Sequence, residues 1–293
     1  MQRAYIIFNP VAGSAGAAEK IAERLKKLQP IAFRVTRRKG DAERWARRAR
    51  TSKANVIIVA GGDGTLNEVV NGLGTFARKK PIGLVPLGTG NDFARTLGLP
   101  ASVDDNLDVI QARKTTLIDI VRVKSKRSRY FVNVSAGGFS GTVGEKMTPQ
   151  IKRTWGPLAY IRGAAAALLH LHAYKTEIVL DDDERLSTDL YNVVVANGRF
   201  VAGGLPIAPT ANPADGKLEV VLIPKVGGAE MALLAAEIVL GKHLSSNATI
   251  FRRARKISVR SRPGMWFNVD GELVGKAPAV FQIMPRALNF IVT

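Results

Sequence analysis

Residues 56–65 read Val56-Ile57-Ile58-Val59-Ala60-Gly61-Gly62-Asp63-Gly64-Thr65, and this stretch decides the fold. Five apolar residues in a row, mostly β-branched, predict a strand buried on both faces, as in a parallel sheet. The glycines that follow permit a tight turn and let a polyanion approach the backbone closely. A phosphate would repel the Asp63 carboxylate unless a cation lay between them. Strand, glycine loop with one acid, then helix point to a nucleotide-phosphate site that uses a metal.

The same alternation extends on both sides. Ala4–Phe8, Ile31–Val35 and Ile82–Val85 are further strand candidates. Ile21, Leu25 and Leu28 share one helical face, and helices are expected over about 42–50 and 66–73. Alternating strands and helices predict a Rossmann-like α/β domain, a parallel sheet with helices on both faces. The pattern changes after about residue 117. Leu117–Val123, Tyr130–Val134, Thr176–Leu180, Tyr191–Ala196, Leu218–Ile223, Lys256–Val259 and Trp266–Val269 read as strands. Helices are expected only around Leu158–His172 and Ala229–Leu240. Strands in this excess predict a second, mainly antiparallel β-sandwich domain. The domains are expected at 1–120 and 121–284. The last strand, Leu288–Val292, suits either, so residues 285–293 are open to returning to the first.

The chain has 293 residues, no cysteine and a formal net charge of +19. The absence of cysteine excludes disulfides, thiolate metal sites and cysteine catalysis. The positive excess favours anionic partners: nucleotides, nucleic acid or an acidic membrane surface. The longest apolar stretch, Leu158–Leu169, is broken by Arg162 and falls short of the roughly 20 residues a membrane span needs. Tyr5–Phe8 is far shorter than a signal-peptide core of about 7–15 residues. The expected location is the cytoplasm, with peripheral association to the inner face of the membrane.

Four loops follow the first four strands. They are Asn9–Gly16, Thr36–Asp41, Gly61–Thr65 and Pro86–Asp92. In a parallel α/β sheet all four emerge at the carboxyl edge, where ligands bind. Their backbone N–H groups and the hydroxyls of Ser14, Thr36, Thr65 and Thr89 can hold phosphates without a dedicated lysine. No Walker string occurs. Gly72–Ala77 mimics a dinucleotide fingerprint but closes a helix, so it reads as a C-cap. In the second half, Asp270-Gly271-Glu272 reads on its own as a hairpin turn, and Asp181–Glu184 as a solvated hairpin tip. With three histidines and no cysteine, a zinc site is not expected.

Taken together, Asn9-Pro10 with Gly13, Gly61–Thr65 followed by Asn67-Glu68, and Pro86–Arg95 resemble the diacylglycerol kinase catalytic-domain family. The soluble bacterial lipid kinases are nearest in size and layout. Asn133–Gly138, Asn197–Arg199 with Gly203-Gly204, Ala208-Pro209, Asp215-Gly216 and Asp270–Glu272 follow in the family's order. The resemblance implies ATP and Mg2+ as cofactors, with nucleotide and substrate meeting between the domains, and transfer of the γ-phosphoryl group to a lipid hydroxyl. It implies nucleotide contacts from Asn9, Gly13, Thr36, Thr89 and the run Gly61, Gly62, Asp63, Gly64, Thr65, Leu66 and Asn67. It makes Glu272 the proton acceptor, with Asp270 beside it to orient it or assist the metal. Asp215, with Asn212 and Lys217, corresponds to a second metal-binding loop, in which Lys217 could offer only its carbonyl. Asp63 is expected to organise Mg2+ on ATP. A homodimer is a family-level expectation.

The kinase reading has rivals. An NAD kinase also carries a Gly-Gly-Asp-Gly-Thr loop, and a nucleotide- or lipid-binding regulator would need no catalysis. The Gly88–Arg95 string and the late Asp-Gly-Glu favour the lipid kinase. Basic clusters at 44–50, 122–129 and 252–256 read either as solvated faces or as a surface for anionic headgroups. Without an aromatic-basic recognition motif, nucleic acid is the weaker partner.

Overall fold

The computed structural model describes residues 3–13, 17–139 and 172–293. Ser14, and the helix expected over Leu158–His172 apart from its final residue, lie outside that set. The chain divides into two compact units, Met1–Ile120 with Pro285–Thr293, and Val121–Met284.

In the first unit the elements run β1 (Ala4–Phe8), α1 (Ala18–Lys26), β2 (Ala32–Val35), α2 (Asp41–Thr51), β3 (Val56–Gly61) and α3 (Asp63–Leu73). They continue with β4 (Ile82–Pro86), α4 (Asp92–Thr96) and α5 (Val103–Ala112). Strand β5 (Thr115–Lys124) leads out of the unit, and β15 (Ala279–Ile291) leads back. The sheet order is β15-β4-β3-β1-β2, and every neighbouring pair is parallel. Every residue of β1, β3 and β4 is buried, which is why each reads as an unbroken apolar run. Phe290 of β15 pairs with Ile82 and meets Phe93 edge-on at 6.0 Å.

Helix α2 buries Ala42, Ala46 and Ala49. A Cβ on Gly72 of α3 would lie 2.3 Å from the Glu43 carbonyl oxygen, so this glycine serves helix packing. Gly74 caps the end of α3, as its sequence position implies. Among the described residues β2 pairs only with β1 and forms the sheet's edge. There Ile31 and Val35 are exposed, while Arg34 lies 5.4 Å from the Trp45 ring.

The second unit contains β6 (Ser128–Phe131), β7 (Val134–Gly138), β8 (Tyr174–Leu180), β9 (Glu184–Ala196) and β10 (Leu218–Pro224). One helix follows, Gly228–Val239, here named α6, and then β11 (Ile250–Ala254), β12 (Lys256–Arg262), β13 (Trp266–Val269) and β14 (Glu272–Lys276). Pairing is antiparallel throughout. Strand β9 changes partners along its length. Its first half pairs with β8, and its second half lies between β7 and β10, so one strand serves both layers of the sandwich. The core stacks Phe281 edge-on against Phe131 at 6.3 Å and Phe267 at 5.2 Å. Gly137 makes room for Phe267, whose ring would lie 2.3 Å from an added Cβ.

The single strand expected over Tyr130–Val134 is two strands, broken at Val132-Asn133. The break has a cause: the Asp270 carboxylate accepts the N–H groups of Val132, Asn133 and Val134 at 3.1, 3.2 and 3.0 Å. These donors are thereby drawn toward a side chain, which interrupts the ladder at this point.

Candidate active site

The strand-end loops of the first unit are tied together at close range. Asn9 donates its side-chain N–H to the Thr65 hydroxyl at 2.9 Å. Leu87 donates its backbone N–H to the Gly61 carbonyl at 3.0 Å. A Cβ on Gly88 would lie 2.7 Å from the Gly62 Cα, and one on Gly13 2.7 Å from the Leu87 carbonyl oxygen. These glycines are needed because backbone packs on backbone there, before any ligand is considered. Asn91, in the left-handed region at φ +50°, closes the last loop by accepting from Gly88 N–H at 2.8 Å and donating back to its carbonyl at 2.7 Å.

Asp63 completes the knot. Its carboxylate accepts the N–H groups of Asp92 and Phe93, at 3.1 and 3.2 Å, where α4 begins. Burial pushes its pKa up, and the N–H groups of Phe93, Asp92 and Asn91 pull the other way. Asp63 is therefore a clamp between two loops. Each oxygen takes one N–H, and a carboxylate offers about four acceptor sites. Glu68 does similar work, capping α2 by accepting from Gly40 and Ala42 N–H at 2.8 and 3.0 Å.

Thr65, Leu66 and Asn67 follow Asp63 in α3. All three side chains are buried. The Thr65 hydroxyl is bonded to Asn9, Leu66 is in the core, and the Asn67 side-chain oxygen accepts from Asn71 at 3.1 Å. Thr36 is likewise buried, with its N–H on the Phe8 carbonyl at 2.8 Å. The surface that remains is formed by Gly13, Gly64 and Thr89, which are exposed. Nothing lies within 4 Å of a Cβ added at Gly64, in the first turn of α3. No side chain caps that helix N-terminus, where backbone N–H groups and the helix dipole favour an anion.

In the second unit, Asp270 sits at the β13–β14 turn with φ +45°. Its carboxylate accepts the three N–H groups described above and so holds the chain in place. Strands β13 and β14 pair antiparallel across this turn, the hairpin that Asp270-Gly271 signals in the sequence. Glu272 opens β14, with Arg129 Nη2 3.8 Å from its Oε2.

The loop 212–217 is organised by its own side chains. Asn212 accepts the Ala214 N–H at 3.1 Å, and Asp215 accepts the Lys217 N–H at 2.9 Å. Arg253 pairs with the other Asp215 oxygen. Glu219, two positions beyond Lys217, is buried. One of its oxygens takes the Thr210 hydroxyl at 2.7 Å, and the other is buried without a partner. Burial raises its pKa; the Thr210 hydroxyl and the Arg253 charge pull it down, and the Asp215 carboxylate adds a smaller rise. The oxygens of Asn212, Asp215 and the Lys217 carbonyl are of the hard type that suits a divalent cation, which would compete with Arg253 for Asp215; no group of three or more histidine or acidic side chains able to hold a metal occurs among the described residues. The sequence signal for Glu219 was a lone acid inside the run Leu218–Ile223. Arg129 and Arg253 were visible only as members of basic clusters.

Residues 3–123 match the family model described as diacylglycerol kinase catalytic domain, and residues 132–292 the one described as YegS C-terminal NAD kinase beta sandwich-like domain. A protein named diacylglycerol kinase from Staphylococcus epidermidis is 34% identical over 288 residues, covering 96% of this chain and 89% of its own. One of the same name from Staphylococcus haemolyticus is 33% identical over 290 residues, covering 98% and 87%. A solved structure described as a diacylglycerol kinase from Bacillus anthracis superposes with TM-score 0.76 at 21% identity, covering 100% of this chain and 97% of that one. An NAD kinase from Archaeoglobus fulgidus in complex with ATP superposes with TM-score 0.56 at 16% identity, covering 99% and 93%. The two superpositions show a shared fold.

Proposed function

The chain belongs to the diacylglycerol kinase catalytic-domain family, and on that premise we propose that it transfers the γ-phosphoryl group of ATP to the hydroxyl of a diacylglycerol-like lipid. The observation that carries this reading is the set of knotted glycine loops around the uncapped start of α3, with Gly64 open to solvent. Phosphoryl transfer asks little covalent chemistry of a protein. It asks for positioned phosphates, neutralised charge and an acceptor for the proton of the attacking hydroxyl.

Each requirement has a candidate. The N–H groups at the start of α3 and the exposed hydroxyl of Thr89 hold phosphate oxygens. Asp63 does not touch the nucleotide; it fixes the spacing of the two loops that do. Glu272 accepts the proton of the lipid hydroxyl. Mg2+, held by Asp215 with Asn212 and the Lys217 carbonyl, would supply positive charge. In this reading the enzyme belongs to lipid metabolism, in the branch that makes phospholipids, and works at the cytoplasmic face of the membrane.

The test is transfer of labelled phosphate from ATP to a total lipid extract, with the product identified by mass. A labelled phosphatidic acid supports the reading. Phosphorylation of NAD with no labelled lipid overturns it, and nucleotide binding without transfer to either overturns it in favour of a regulator.

A further inference from the structure

Helix α6 is apolar on nearly every side. Among the described residues no helix is long and apolar enough to cross a membrane, and α6, at 12 residues, spans only about 18 Å. Met231 and Leu234 are buried and pack with Ile223, Phe139 and Tyr191. The opposite arc carries Ala232, Leu233, Ala236, Val239 and, at the C-cap, Leu240, all exposed. Leu233, Val239 and Leu240 are 62, 60 and 67% exposed. A helix of this composition is normally enclosed by protein or by lipid.

The helix's two acids are turned off that arc. The Glu230 carboxylate caps the helix by accepting the Gly227 N–H at 3.0 Å. One oxygen of Glu237 is buried, and its charge is felt by the buried His243. Two lysines bracket the helix instead, Lys225 before it and Lys242 after it, both exposed. An apolar stripe between cations, on a chain of formal net charge +19, is complementary to an anionic lipid interface, with headgroups at the lysines and acyl chains beneath the stripe.

We infer that the outer face of α6 docks the protein on an anionic bilayer, with Leu233, Val239 and Leu240 entering the interface and Lys225 and Lys242 meeting phosphate headgroups. The choice of lipid as occupant rests on the lipid-kinase reading. The contact lies in the plane of the membrane and leaves the helix peripheral.

The experiment uses the full chain with vesicles of phosphatidylglycerol and phosphatidylcholine, read by co-sedimentation. The Leu233→Glu/Leu240→Glu double variant should lose roughly tenfold or more in vesicle partition. Its unfolding midpoint should be unchanged, since both side chains already face water. Lys225→Gln/Lys242→Gln should weaken binding less, and only to vesicles that contain phosphatidylglycerol. Wild-type partition by the double variant overturns the inference. So does a dimer, seen by light scattering, that the double variant dissolves while vesicle binding persists, because a second copy then covers the face. Turnover of a water-soluble short-chain diacylglycerol without vesicles should be the same in wild type and variant. If the wild type phosphorylates no lipid, the kinase reading fails, and the vesicle measurement still decides the docking face on its own.

Discussion

Asp63 in the first unit and Asp270 in the second are the acids of two glycine motifs, and both grip backbone N–H groups of a distant segment. Asp63 holds two, at the start of α4. Asp270 holds three, at the break between β6 and β7. They differ in surroundings. Burial is the dominant influence on Asp63 and raises its pKa, whereas Asp270 lies at a turn. A carboxylate in a glycine motif is thus not thereby a catalyst. In each motif the acid that looks most chemical fixes the chain.

The largest expected effect separates Glu272 from Asp270 within one turn. Glu272→Gln should lower kcat about 10²–10⁴-fold with the urea-unfolding midpoint unchanged. If turnover is unaltered, Glu272 is not the proton acceptor. Asp270→Asn should instead cost about 1–3 kcal/mol of stability, because an amide nitrogen would face the Val132 N–H. Asp63→Asn makes the same mismatch but escapes the cost of burying a charge, so its stability loss should be the smaller of the two. Equal midpoints, or the reverse order, would break the comparison.

How much of this could be read from sequence depended on range. The strands β1, β3 and β4 were legible because a buried parallel strand is a continuous apolar run. Strand β11 was missed because it carries Arg252 and Arg253, and β14 because it begins and ends on charge. Helix α4 is too short for periodicity, and α5 opens on the polar run Asp104-Asp105-Asn106 after its Ser102 cap. The turn at Asp270-Gly271 was legible, but the grip of Asp270 was not, since its partners are 136 to 138 residues away in sequence. The clamp of Asp63 escaped for the same reason at a separation of 29 and 30 residues.

Two glycines sharpen the division between holding and reacting. Gly88→Ala places a methyl against Gly62 and should force the loops apart at about 1–3 kcal/mol. Gly64→Ala meets nothing and should stabilise α3 by roughly 0.5–1 kcal/mol. It should still raise the KM for ATP if phosphate sits at that turn. A KM unchanged in Gly64→Ala would place the phosphates elsewhere.

The smallest effect is a pH slope. Because the folded state raises the pKa of Asp63 above its usual 3.8, the native protein binds that proton more tightly than the unfolded chain. This contribution to stability is present below pH 3.8 and is lost as pH rises through the raised value. In urea titrations across that window, the difference between wild type and Asp63→Asn should therefore shift toward the variant with rising pH. A constant difference would mean that burial does not govern this carboxylate.

The open edge at β2 has a consequence of another kind. Ile31 and Val35, 48 and 40% exposed, flank a row of backbone groups with no strand beyond them among the described residues, which is a template for self-association. Arg34, laid over Trp45, puts a cation in the middle of that edge. The substitution Arg34→Val would leave Ile31, Ala32, Phe33 and Val35 in an uninterrupted apolar, β-prone segment, the composition of an aggregation nucleus. That one arginine thus acts as a gatekeeper against clumping, most of all at the high concentrations of overexpression.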